Sequence, residues 1–110
     1  MATVANLSID QGAEFYRTMT VVDNNGLVVD LSTYTAAGQL RKSYTANEFI
    51  PLTVVVLNAS LGKISIGLSN LVTDTLTINR YVYDVEITSN SLKKYRILEG
   101  NITVSPNVTK

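Results

Sequence analysis

The chain contains no histidine and no cysteine in its 110 residues. Without histidine, the commonest general base and metal ligand is missing. Without cysteine there is neither a disulfide nor thiolate chemistry, so stability must come from core and sheet, or from assembly. Charge is also scarce. Charged residues make up 16% of the chain, against about 25% in an ordinary domain, and nine bases balance nine acids. A neutral chain exerts little long-range pull on phosphate, which argues against a nucleic-acid partner. Weak self-repulsion suits a protein packed against others. No apolar run approaches the ~20 residues of a membrane span; the longest, 52–57, is strand-sized. Residues 1–6 lack the basic start and apolar core of a secretion signal, so the four Asn-x-Ser/Thr triplets at Asn6, Asn58, Asn101 and Asn107 read as accidents of composition. No Gly-x-Ser-x-Gly elbow and no phosphate-binding loop occurs. These absences lead us to expect no enzyme activity, no cofactor, no metal and no small-molecule substrate.

What is present favours sheet. Threonine, valine, asparagine and serine are abundant, and the length suits one domain with a real core. Residues 14–22, 34–42, 63–68, 80–88 and 94–105 alternate in character, the period of a half-buried strand. Asp23-Asn-Asn-Gly26 and the segment 58–62 are turn signals. Leu27 to Asp30 reads as a returning strand. Leu52 to Leu57 is continuously apolar, as in a strand covered on both faces. Residues 43–51 read as a loop. Residues 69–76 allow one short helical turn capped by Ser69 or Asn70, and Pro106 ends the last strand. Seven or eight short strands with frequent turns predict an all-β chain, an antiparallel β-sandwich, with a small barrel as the second choice. The expected organisation is one domain over 1–110 with short free arms at about 1–6 and 106–110.

The segments 80–88 and 94–105 form a predicted terminal hairpin. A two- or four-residue loop sets Tyr81, Tyr83, Val85 and Ile87 beside Leu98, Ile102 and Val104. The other face then carries Asp84, Glu86, Glu99 and Tyr95. The carboxylate row suits a solvated or interface face with ion pairs to Arg80 or Arg96 better than catalysis. Arg17 falls on the apolar side of its strand, as a partner contact or a snorkelling side chain. Tyr44 and Tyr95 read as exposed. Tyr44, Tyr95, Arg17, Glu86 and Arg96 are therefore the candidate interface residues.

Five colinear segments carry a further likeness: Leu7 to Thr18, Val29 to Ala36, Gln39 to Ser43, Tyr81 to Ile87, and Leu98 to Pro106. Their most specific parts are Asp10-Gln-Gly12 and Leu98-Glu-Gly through Val104-Ser-Pro106. Together they resemble small virion structural proteins of tailed bacteriophages, of the kind common in cyanophages and marine phages. They are also similar to the immunoglobulin-like N-terminal domain of phage baseplate upper proteins. The resemblance covers nearly the whole chain. It implies an immunoglobulin-like fold and a non-enzymatic virion protein that docks in many copies onto other virion proteins. No second domain follows Pro106, which points to a tail, baseplate or neck adaptor or a decoration subunit. Capsid cement is the alternative within that class, and a carbohydrate-binding module the alternative outside it.

Overall fold

The computed structural model describes residues 3–77 and 79–108. Its elements are β1 (Thr3–Val4), β2 (Leu7–Asp10), β3 (Phe15–Thr20), β4 (Tyr34–Arg41), β5 (Ile50–Asn58), β6 (Lys63–Leu68), α1 (Asn70–Thr73), β7 (Arg80–Ser89) and β8 (Lys94–Ser105). The chain is all-β, as its alternation predicts. The one helix is a single turn, started by Ser69, whose side chain accepts from the Val72 N–H. Residues 27–30 do not form a returning strand; Val28 makes an isolated bridge to Val22. Pro51 lies inside β5, opposite Gln39, rather than in the preceding loop.

The strands follow one path, β1-β8-β7-β4-β5-β6-β3, with β2 also on β8. The layout is a single curled sheet in which β5 is the joint. Its start pairs with β4 (Leu52 opposite Gly38), and from Thr53 onward it pairs with β6. The expectation of purely antiparallel pairing is corrected at one edge, where β1 and β2 run parallel to β8. A second correction concerns β5. Val54 and Val56 turn toward the core, whereas Val55 and Leu57 on the opposite face are exposed, so only one face is covered. One apolar core joins the two ends of the sheet. It includes Phe15, Ile64, Ile66 and Leu68 from β3 and β6, and Tyr83, Val85, Leu98 and Ile102 from β7 and β8.

The N-terminal segment is no free arm over its described residues. Thr3 and Val4 lie beside Leu98 and Glu99, and the Ala5 N–H donates to the Glu99 carbonyl at 2.9 Å. The Asn101 N–H donates to Asn6 Oδ1 at 3.1 Å, and the Tyr83 hydroxyl donates to the Ala5 carbonyl at 2.6 Å. Burial pushes the Tyr83 phenol up to about 12. Gly100 makes this approach possible: a Cβ there would collide with the Ala5 carbonyl oxygen. A strand whose backbone groups are paired in this way belongs to the fold.

Candidate functional site

The outer side of the β4–β7–β8 region forms a groove of about 420 Å³. Strand register sets its floor in rows. Thr35 stands opposite Thr88, which stands opposite Lys94. Ala37, Glu86 and Arg96 form the next row, and Gln39, Asp84 and Glu99 the one after. Thr35 and Ala37 are small where β8 carries long side chains, and that difference in height makes the trough. Tyr44 stands at its rim, 80% exposed. The loop bearing Tyr44 is tied down by Arg41. The Arg41 guanidinium donates to the Ala46 carbonyl at 2.6 Å and to Gln39 Oε1 at 3.1 Å, and lies over the Phe49 ring.

A β-bulge builds the charged part of this groove. From Tyr81 to Val85 the hairpin has the expected register, with Val85 opposite Leu98. The next pair is Glu86 with Arg96, so Ile97 is an extra residue, and both Ile97 and Leu98 are buried. The cause lies at the turn. The Ser89 N–H donates to the Lys93 carbonyl, leaving Asn90 to Leu92 as a three-residue connection, with Leu92 at φ 66°. An odd loop shifts the register by one, and the bulge restores it four residues later. The expected placement of Tyr95 on the outer face is therefore wrong. Tyr95 stands opposite the buried Ile87 and is 40% exposed near the hairpin end, while Arg96 moves onto the outer face.

There Arg96 bridges two carboxylates, 3.5 Å from Asp84 and 3.2 Å from Glu99. The Asp84 carboxyl is pushed above its ordinary value by burial first and by the Glu86 charge second, with Arg96 opposing. The Arg96 guanidinium is held more firmly protonated by its hydrogen bond to Glu99. Glu86 has no ion pair among the described residues; its neighbour on β4 is Ala37.

The structure thus brings Tyr44, Glu86 and Arg96 together and leaves Tyr95 and Arg17 outside. Arg17 snorkels. It lies on the core side of the edge strand β3, opposite Ile66, yet its guanidinium reaches out to the Tyr16 carbonyl at 2.9 Å and lies over the Phe15 ring at 5.0 Å. Gln39, Arg41 and Asp84 complete the groove without having been singled out as interface residues. The signal for the bulge was the adjacent apolar pair Ile97-Leu98, which breaks strict alternation.

Among the described residues no cluster of three or more acidic side chains is placed to hold a metal, and no helix is long and apolar enough to cross a membrane. No family model matches the chain, and no curated protein does. Among solved structures it is similar to an internalin-like protein of Listeria monocytogenes, lmo2027, at 16% identity and TM-score 0.47, covering 96% of this chain and 28% of that one. It is also similar to a family 123 glycoside hydrolase from Clostridium perfringens, at 13% identity and TM-score 0.42, covering 97% and 23%. The chain spans about a quarter of each.

Proposed function

We propose that this chain is a non-enzymatic structural protein of a tailed-phage virion, docking in many copies onto other virion proteins. One observation carries the reading. The two most specific parts of the resemblance, some ninety residues apart in sequence, are neighbours in space. Ile9 and Asp10 pair with Val104 and Ser105, and the Gln11 N–H donates to the Ser105 carbonyl at 2.9 Å. Gln11 also donates through Nε2 to the Leu76 carbonyl at 2.9 Å, and a Cβ on Gly12 would meet Asn107. These residues close the sheet, so this part of the likeness is a likeness of architecture, the property that a structural subunit keeps.

The β8 edge is covered by the short strands β1 and β2, and at the other end of the sheet Arg17 donates to a carbonyl of the edge strand β3. In this reading docking uses the sheet faces and loops as well as the strands at the two ends. The near-neutral surface fits contact with other proteins at a virion interface. The reading places the chain in the virion; tail, baseplate, neck and capsid remain alternatives within it. Mass spectrometry of gradient-purified particles from the encoding phage tests this. The expected result is the chain at a fixed copy number per particle, and its absence from washed particles refutes the reading.

A further inference from the structure

We propose that the groove over β4, β7 and β8 is a saccharide-binding site, gripping an uncharged sugar ring by hydrogen bonds donated by Gln39 and Arg96 and accepted by Glu86, and by stacking on Tyr44. Docking onto virion proteins does not require such a site, which is the feature of the carbohydrate-binding alternative, so the inference is tested separately from that reading.

The composition of the groove selects the ligand class. Its floor and walls carry an amide (Gln39), hydroxyls (Thr35, Thr88), three carboxylates (Asp84, Glu86, Glu99) and three cations (Arg41, Lys94, Arg96). Their charges cancel, so neither a phosphate nor a polycation gains by entering. The lining is too polar for an apolar ligand, since each buried polar group would lose water without replacement. A ligand that both donates and accepts at every position can satisfy such a mixture, and polyhydroxylated rings do so. Outward side chains lie ~5 Å apart across strands and ~7 Å apart along them, the scale of one sugar ring. The volume, about 420 Å³, falls within the range of small-molecule sites.

The groups are also held in place before a ligand arrives. Arg96 is fixed between Asp84 and Glu99, Gln39 is oriented by Arg41, and Arg41 anchors the loop carrying Tyr44. Pre-organisation of this kind reduces the ordering cost of binding. Glu86, with no ion pair of its own among the described residues, keeps its carboxylate available as an acceptor. Tyr44 presents an exposed ring at the rim, where the C–H face of a sugar can stack.

The test uses the purified full chain on a printed array of gluco-, galacto-, manno- and N-acetylhexosamine oligosaccharides. Hits are followed by titration with the free oligosaccharide, monitored by amide chemical shifts. The expected result is a saccharide that shifts the amides of residues 35–44, 84–88 and 94–99. Glu86→Gln and Tyr44→Ala should each weaken it by roughly tenfold or more, with thermal unfolding unchanged. Arg17→Ala, at the far edge of the sheet, should leave binding intact. An array with no hit overturns the proposal. So does binding that the two groove variants do not weaken, or a hit that only acidic saccharides produce.

Discussion

At the scale of single residues, strain and burial mark where sequence and fold disagree. Leu92 holds φ 66° at the hairpin tip, 81% exposed, in a conformation that a branched side chain adopts at a cost. Glycine adopts it freely, so Leu92→Gly is expected to stabilise the fold by up to about 1 kcal/mol, read from denaturant unfolding. A loss of stability there would mean that the leucine packs in solution. Asp84 makes a pH-dependent prediction. Its folded value lies above its ordinary one, with burial as the leading cause. A raised carboxyl favours the fold in its protonated form. That contribution is complete below the unfolded value near 4 and fades as pH rises through the folded value. Asp84→Asn should therefore raise the stability at neutral pH relative to that at pH 4. An unchanged pH profile would show that Arg96 compensates the burial fully.

At the scale of elements, what could be read from sequence was what rests on local alternation. Tyr81, Tyr83, Val85 and Ile87 point inward as their period requires, and all are buried. The Ser69 cap and the stop before Pro106 are local signals too, and both hold. Tyr44 is exposed, as read. What escaped depends on long-range geometry. The parallel pairing of β1 and β2 with β8 joins segments some ninety residues apart, and no short-range period encodes it. The bulge at Ile97 left one local sign, the adjacent apolar pair Ile97-Leu98, but the register did not reveal it, because an odd loop and an extra residue cancel and leave the far end of the hairpin as expected. Of the groove, the carboxylate row and its ion pairs to Arg96 were legible in the hairpin, whereas the trough over β4 and the way Arg96 reaches the outer face depend on β-pairing and on that bulge. The N-terminal strand yields its own prediction. Truncation after Asn6 removes the acceptor of the Tyr83 hydroxyl and uncovers the β8 edge. A buried donor left without a partner costs ~1–3 kcal/mol, and an open edge invites pairing between molecules. The truncated chain should melt earlier and self-associate in light scattering; unchanged melting would return these residues to the status of a free arm.

At the scale of the whole molecule, the chain is an elongated body of 43 × 28 × 22 Å with a polar groove open on its flank. In the proposed role such a body packs by its loops and by surfaces other than the face that carries the groove. The central claim is the proposed virion role, and a density map of the intact particle that this role requires, at a resolution that resolves sheets, tests it most directly. The account predicts a curled eight-stranded body of these dimensions at symmetric positions, contacting neighbours through sheet faces and loops. A particle map in which every protein density is assigned and none fits this fold would contradict it.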